Sequence, residues 1–215
     1  MKTLNNFYPP PIVIKLVRLF SFVLSKIIWQ IEFRGTQHIP FDFSRGLIVA
    51  SNHQTYLDPF WIIVPINRRF RFMAWDRAFG WFGIGTLIRY LGAFPVDIEH
   101  GDKEAYQKSV EVLRDGATLV IFPEGSRAFA DGKLLDFKTG AVRMALEANV
   151  PILPVTLCGA NKVWARDMKF PRPFQKISVV YHPPFEVSPP TETADAREHA
   201  RMLTEKLKKI IEQDL

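Results

Sequence analysis

The chain has 215 residues, of which 47% are hydrophobic and 13% aromatic. No apolar run is long enough to span a bilayer, and a single cysteine, Cys158, excludes an internal disulfide. The formal net charge of +6 favours an anionic partner, which charge alone leaves open as nucleic acid, anionic lipid or a phosphorylated substrate.

The first predicted element is a helix over the apolar residues 12–31. At about 100° per residue, its polar side chains gather on one half of the helix surface. They are Lys15, Arg18, Ser21, Ser25, Lys26 and Gln30. A basic stripe opposite an apolar one is typical of a helix in the headgroup plane, so residues 1–30 are predicted to form a membrane-interface helix on an anionic surface. The alternative is a helix that packs on the domain core.

Residues 31–215 alternate short apolar runs with helix-length segments and are predicted to form one domain. Strands are predicted at 47–50, 71–75, 93–96, 118–122, 152–157 and 177–181, and helices at 59–66, 77–90, 102–114, 139–148 and 194–213. This alternation predicts an α/β domain with a largely parallel or mixed central sheet flanked by helices. Ligands bind beyond the strand ends of such sheets, so the turns that follow strands are the places to look for chemistry.

The turn after the strand at 47–50 contains His53 and, five positions later, Asp58. On one helix they would lie about 140° apart and could not pair. Pro59 suits the first helical position and disfavours α geometry at the residue before it, so Asp58 is predicted as the N-cap and His53 lies in the preceding loop. The Asp58 carboxylate can then meet one imidazole nitrogen and leave the other free to take a proton. Base and orienter without a serine indicate a nucleophile that comes from the substrate.

Each member of this pair also has an ordinary explanation. An aspartate before proline is a common N-cap, and a histidine at a strand end is often only a hydrogen-bonded surface residue. The other four histidines, His38, His100, His182 and His199, have no carboxylate at an instructive spacing. His53 is therefore the candidate base.

A second turn, residues 121–127, follows the strand at 118–122. Gly125 allows a tight turn or a close backbone approach, while Ser126 and Arg127 offer a hydroxyl, N–H groups and a guanidinium suited to phosphate oxygens. The alternative is a plain strand-to-loop turn with a solvated arginine. No phosphate-loop or dinucleotide glycine pattern is present, which disfavours nucleotide binding.

Together these stretches resemble the glycerolipid acyltransferases of the lysophosphatidate (1-acyl-sn-glycerol-3-phosphate) acyltransferase type. Asn52, His53 and Asp58 resemble the first block of that family, and residues 122–127 the third. Residues 91–97 resemble the second block and 150–155 the fourth, so all four occur in the family's order. Residues 137–140 also match a lysine-containing turn that often follows the third block.

The resemblance implies a role for each matching residue. His53 would deprotonate the acceptor hydroxyl, and Asp58 would hold and stabilise His53. The polar head of the acceptor would be bound by Glu124, Gly125, Ser126, Arg127 and Lys138. The acyl donor would be acyl-CoA or acyl carrier protein, the acceptor a lysolipid, and no metal or tightly held cofactor is implied. The expected location is the cytoplasmic face of a membrane, as a peripheral or monotopic protein.

One position departs from the family pattern. Many members that acylate lysophosphatidate have an arginine after the second block, taken to grip the phosphate, where this chain has Ile98. Arg127 and Lys138 could still neutralise a phosphate. The first hypothesis is therefore lysophosphatidate as acceptor and phosphatidate as product, and the alternative is the same chemistry on a non-phosphate acceptor.

Two other classes are weaker. Basic and aromatic residues mix at 68–72, but Phe70 and Phe72 alternate as a core strand would, so no nucleic-acid partner is expected. A non-catalytic protein that binds anionic membranes would explain the basic helix and not the two turns. A lipase is disfavoured because no Gly-x-Ser-x-Gly elbow occurs.

Overall fold

Within the residues that the computed structural model describes, 8–42, 44–97, 102–190 and 195–215, seven strands form one sheet. The strands are β1 (Glu32–Arg34), β2 (Leu47–Ser51), β3 (Phe70–Trp75), β4 (Ala93–Val96), β5 (Thr118–Ile121), β6 (Ile152–Cys158) and β7 (Ser178–Tyr181). Their order across the sheet is β1-β7-β6-β2-β5-β3-β4. The five strands from β6 to β4 are parallel, whereas β7 is antiparallel to β6 and pairs in parallel with β1. The predicted mixed sheet is confirmed.

Helices cover both faces of the sheet. They are α1 (Pro11–Trp29), α2 (Asp58–Ile62), α3 (Ile84–Tyr90), α4 (Lys103–Arg114), α5 (Gly140–Ala148), α6 (Asn161–Trp164) and α7 (Ala196–Glu212). Successive residues of β2 point to opposite faces, as the pleat requires. Leu47 and Val49 pack in the core beneath α1 and α2, whereas Ile48 and Ala50 pack in the core beneath α4, α5 and α7. The predicted α/β domain flanked by helices is confirmed.

Two predicted helices are shorter than their patterns suggested. The segment predicted at 77–90 divides into a 3-10 turn, Asp76–Gly80, and α3. The break lies at Gly83, whose φ of +71° is not helical. The helix predicted at 59–66 ends at Ile62, because Pro65 has no N–H to continue the helical hydrogen bonds.

The N-terminal helix α1 is present and packs on the domain through its polar side. Ser21 and Ser25 are buried, and Arg18 donates hydrogen bonds to the carbonyl of Val64 (2.8 Å) and the side chain of Asn67 (3.0 Å). Part of the predicted polar stripe therefore contacts protein rather than solvent, because short hydroxyl side chains allow close helix packing. Lys15 and Lys26 remain exposed.

The apolar side of α1 faces outward. Its most exposed side chains, each 58–69% accessible, are Ile12, Leu16, Leu19, Phe20 and Ile27. Only the last turn enters the core, where Trp29 meets Trp61 of α2 edge to face with ring centroids 5.5 Å apart. Among the described residues, no helix has the length and apolar character needed to cross a bilayer.

Candidate active site

The two predicted turns meet at the carboxyl ends of neighbouring parallel strands. Residue His53 follows β2, and residues 124–127 follow β5. These strands pair in register, with Ala50 opposite Ile121 near their carboxyl ends. The sheet therefore brings together two turns that are far apart in sequence, at the edge where α/β sheets bind ligands.

The predicted pair of His53 and Asp58 is formed. The imidazole Nδ1 lies 2.8 Å from the Oδ2 of Asp58, and the ring stacks on Phe122 with centroids 4.0 Å apart. The His53 side chain is 19% accessible and Asp58 is fully buried. Because the carboxylate can only accept, Nδ1 carries the hydrogen and Nε2 is left to take a proton.

Asp58 holds the whole loop as well as the imidazole. Its Oδ2 also accepts the N–H of Gln54 (2.6 Å) and of Thr55 (2.8 Å), and its Oδ1 accepts the Thr55 hydroxyl (2.7 Å). The predicted N-cap is one residue off, since Leu57 occupies that position and Asp58 is the first residue of α2. The side chain turns back to the preceding loop because the donors there outnumber those at the helix start.

Two further side chains that sequence reasoning did not assign a role anchor this loop. Asn52 is fully buried and exchanges two hydrogen bonds with the main chain of Leu157 on β6, at 2.9 and 2.8 Å. Gln54 accepts the N–H of Asn161, at the start of α6, at 2.8 Å. Their partners lie more than a hundred residues away, so no local pattern signals these contacts.

Glu124 joins the second turn to the first. It is only 5% accessible, and its two oxygens accept the N–H of His53 (2.7 Å) and of Leu135 (2.8 Å). Burial raises the pKa of this carboxyl, and the two N–H donors act in the opposite direction. With both oxygens engaged by main chain, Glu124 is placed to position the His53 loop rather than to reach a ligand.

Gly125 and Lys138 form one wall of the cavity in front of His53. Gly125 has a φ of +71°, and a Cβ there would lie 3.0 Å from the Lys138 ammonium. The positive φ favours glycine at this turn, and a larger side chain would also crowd Lys138. Among the described residues, the Lys138 ammonium has no hydrogen-bond or ion-pair partner, so its charge is available to a ligand.

Arg127 lies on another side of the histidine loop. Its guanidinium carbon is 3.7 Å from the centre of the Tyr56 ring, which itself packs edge to face against Trp164 and Trp81. Contacts of 3.4 and 3.5 Å to the carbonyls of Trp164 and Ala165 are long for hydrogen bonds. Neither Arg127 nor Ser126 lines the cavity in front of His53.

That cavity has a volume of about 320 Å³ and mostly apolar walls. The walls come from β3, β4, β5, α4 and α5 and include Met73, Trp75, Val96, Ile121, Phe122, Ala141 and Met144. Among the described residues, its polar lining consists of His53, Lys138, Asp97, Asp102 and Tyr106. Among the described residues that line it there is no Ser, Thr or Cys, the side chains that a neighbouring histidine commonly activates as nucleophiles.

Comparison with known proteins agrees with this geometry. The family model described as Acyltransferase matches residues 30–158, a span that contains His53, Asp58 and the turn at 124–127. The crystal structure of the 1-acyl-sn-glycerophosphate acyltransferase PlsC from Thermotoga maritima superposes with a TM-score of 0.72 at 26% identity, covering 94% of this chain and 79% of that one.

Curated relatives carry related names. A chloroplastic 1-acyl-sn-glycerol-3-phosphate acyltransferase of Arabidopsis thaliana is 26% identical, covering 80% of this chain and 48% of its own. The 1-acyl-sn-glycerol-3-phosphate acyltransferase of Limnanthes alba is 30% identical, covering 81% and 63%. That of Streptococcus pneumoniae is 33% identical, covering 62% and 50%. The chain thus spans about half to under two thirds of the length of these relatives. Its resemblance to glycerolipid acyltransferases is confirmed, and the chain belongs to the acyltransferase family.

Proposed function

We propose that this protein transfers a fatty acyl group from acyl-CoA or acyl carrier protein to the hydroxyl of 1-acyl-sn-glycerol-3-phosphate, giving phosphatidate. The observation that carries the proposal is the hydrogen-bonded pair of His53 and Asp58, facing a cavity whose described lining has no Ser, Thr or Cys. A base and orienter without a protein nucleophile suit direct attack by a substrate hydroxyl. The names of the relatives support the choice of acceptor.

In the proposed reaction, one proton passes from the acceptor hydroxyl to His53 and then to the thiolate leaving group. As the acceptor oxygen attacks the thioester carbonyl and the C–O bond forms, Nε2 of His53 takes the hydroxyl proton. Asp58 stabilises the resulting imidazolium through Nδ1–H. The tetrahedral intermediate then collapses with cleavage of the C–S bond, and the imidazolium returns the proton to the thiolate leaving group. The ammonium of Lys138 lies on the wall of the same cavity, where it can offset the negative charge that develops.

The apolar cavity suits the acyl chain that is being transferred. Its walls beside His53 are built from methionine, aromatic and aliphatic side chains, which bind a hydrocarbon by excluding water from both surfaces. Asp97 and Asp102 make the same cavity a poor place for the acceptor's phosphate, since like charges repel. The phosphate is therefore assigned to the side of the histidine loop that carries Arg127.

A non-phosphate acceptor is the second candidate, and Ile98 favours it. That position lies outside the residues that the structure describes, so the argument depends on sequence alone. If the acceptor does carry a phosphate, Arg127 must supply the positive charge on that side of the histidine loop.

The outward apolar face of α1 supports attachment to a membrane surface, where a lysolipid acceptor resides. Five large apolar side chains exposed on one helix face form a patch of the kind that marks an interaction site. Lys15 and Lys26 border it and would add attraction to anionic headgroups. We place the protein at the cytoplasmic face of a membrane as a peripheral or monotopic enzyme. A non-catalytic membrane-binding protein would need this helix and would have no use for the His53 and Asp58 pair.

The test is a transfer assay with labelled acyl thioesters and a panel of phosphate-bearing and neutral acceptors. For 1-acyl-sn-glycerol-3-phosphate, Arg127→Ala should lower kcat/KM roughly ten- to a hundredfold, because it removes a charge-assisted contact. The matched control is Arg166→Ala, which removes another arginine that stacks on an aromatic ring, that of Phe129. The non-phosphate alternative would be favoured by two results together. The wild type would acylate a neutral acceptor faster than 1-acyl-sn-glycerol-3-phosphate, and Arg127→Ala would leave that preference unchanged.

A further inference from the structure

A second cavity lies beside the catalytic one, between α4, α5 and the start of α7. Its volume is about 650 Å³, within the range of sites that bind small molecules. Tyr106 lines both cavities, and the consecutive residues Thr139 and Gly140 line one each. The first turn of α5 is thus the partition between the two, and a molecule that reached across it would occupy both.

Among the described residues, those that line the second cavity include three arginines, Arg143, Arg197 and Arg201, and one carboxylate, that of Glu147. Glu147 is already engaged, because it accepts the Tyr106 hydroxyl at 2.8 Å and lies 4.0 Å from Arg114. Burial and this hydrogen bond raise the pKa of Tyr106 to about 12, so the hydroxyl keeps its proton at neutral pH.

The positive charge of the arginines is only partly neutralised by described carboxylates. Arg201 pairs at 3.7 Å with Glu198, and both side chains are largely exposed. Among the described residues, neither Arg143 nor Arg197 has a carboxylate within ion-pair distance. Arg143 rests against Tyr106, with its guanidinium carbon 5.5 Å from the ring centre, which holds it at the mouth shared with the catalytic cavity. The cavity is therefore a concave site for an anion.

Its place in the fold matches the route of a water-soluble donor. The arginine-lined cavity belongs to the α4, α5 and α7 layer, whereas α1 and its apolar patch belong to the opposite layer. A thioester whose acyl chain fills the apolar cavity places its carbonyl near His53. Its other end must then leave the apolar cavity, and a path past Tyr106, which lines both cavities, leads to the arginines.

We propose that this cavity binds the phosphate-bearing nucleotide end of acyl-coenzyme A, with Arg143, Arg197 and Arg201 as donor-binding residues. The inference rests on the proposed function and identifies the donor that was left open there. A nucleotide with several phosphates is small enough to enter a concave site and matches guanidinium donors in charge and geometry. A carrier protein would dock on a surface rather than inside a cavity of this size.

The experiment measures the binding of coenzyme A itself, without an acyl group, by titration calorimetry on the full chain. Arg143→Gln and Arg197→Gln should each weaken binding about tenfold or more, and the double variant should weaken it further. The control is a double variant of two exposed lysines outside both cavities, Lys176→Gln with Lys209→Gln, which should bind as the wild type does.

A parallel transfer assay uses three donors: acyl-CoA, an S-acyl pantetheine that lacks every phosphate, and acyl carrier protein. The double arginine variant should lose kcat/KM with acyl-CoA and match the wild type with S-acyl pantetheine. Three results for the double arginine variant would each overturn the proposal. They are an equal loss of kcat/KM with acyl-CoA and S-acyl pantetheine, binding of coenzyme A as tight as that of the wild type, and a loss of kcat/KM confined to acyl carrier protein. If the wild type transferred no acyl group from any donor, the proposed function would fail, while arginine-dependent binding of coenzyme A would still support the cavity as a nucleotide site.

Discussion

The carboxylate of Asp58 holds the loop that contains His53 and, in the proposed mechanism, stabilises the charge on the His53 ring. It accepts four hydrogen bonds while fully buried, three of them from residues 54 and 55 and one from the imidazole. Removing a buried acceptor costs stability, whereas removing only its charge affects the imidazolium. The two roles can therefore be separated by the choice of substitution.

Asp58→Asn should keep the fold and lose activity. An amide oxygen at the Oδ2 position can still accept from His53, Gln54 and Thr55, and the amide nitrogen can donate to the Thr55 hydroxyl. The lost negative charge should lower kcat roughly a hundred- to ten-thousandfold, the usual range for general-base assistance. Asp58→Ala should in addition lower the free energy of unfolding by about 1–3 kcal/mol or more, because it leaves buried donors unpaired. A fully active Asp58→Asn protein would make the residue purely structural.

Glu124 should give the stability of the protein a pH dependence. Because burial raises its pKa in the fold, the unfolded chain releases the proton near the ordinary value of 4.5 while the folded chain still holds it. The contribution to stability is fully present below that pH and is lost as the pH rises through the folded pKa.

Urea unfolding of wild type and Glu124→Gln between about pH 4 and pH 7 measures this effect. The stability of wild type relative to Glu124→Gln should decrease as the pH rises and then level off. Glu104→Gln, which changes an exposed glutamate of α4, is the control and should show no such trend. Parallel profiles for wild type and Glu124→Gln would contradict a raised pKa.

At the scale of elements, segments with an apolar run or stripe were mostly predictable, and segments without one were not. The segments α4, α5 and α7 agree with their patterns to within two residues at the ends that the structure describes, because each has a strong apolar stripe. The strand β1 was missed because Glu32-Phe33-Arg34 has no apolar run and is held by pairing with β7. The four-residue helix α6 is too short for a period to show.

In the candidate active site, contacts between residues close in sequence were predictable and contacts between distant elements were not. The pair His53 and Asp58 was predictable because both members belong to one loop beside a proline. The anchoring roles of Asn52 and Glu124 were not, since their partners come from other elements. The orientation of α1 could not be predicted from its sequence pattern either. A helical wheel separates a polar and an apolar face but does not indicate which of them packs on the domain.

The apolar face of α1 should carry membrane binding. Leu19→Asn with Ile27→Asn removes two large side chains that are 60% and 69% exposed, so the fold should be unaffected. Each lost side chain should weaken sedimentation with anionic vesicles about tenfold or more, given the roughly 1.5–3 kcal/mol gained on burying it. Met202→Asn, at a 57% exposed position on α7, is the control and should bind normally. Unchanged binding by the α1 variant would remove this helix from the interface.

In the whole molecule, the sheet separates an apolar helix face from an arginine-lined cavity, and the loops of both layers meet at the carboxyl ends of its strands. The layer with α1 presents an apolar face, the layer with α4, α5 and α7 presents an arginine-lined cavity, and His53 lies at the carboxyl ends of the strands between them. An enzyme that joins a lipid acceptor to a water-soluble donor needs such an arrangement. A parallel sheet supplies it because loops from both layers meet at the same strand ends.

The most direct test of the account is transfer of a labelled acyl group from acyl-CoA to 1-acyl-sn-glycerol-3-phosphate by purified wild type and His53→Ala. The wild type should form phosphatidate with release of coenzyme A, and His53→Ala should be slower by roughly two to four orders of magnitude. His199, which lines neither cavity and bonds to the carbonyl of Ser188, should leave the rate unchanged when replaced by Ala as a control. Wild-type turnover by a folded His53→Ala protein would contradict the assignment of His53 as the general base.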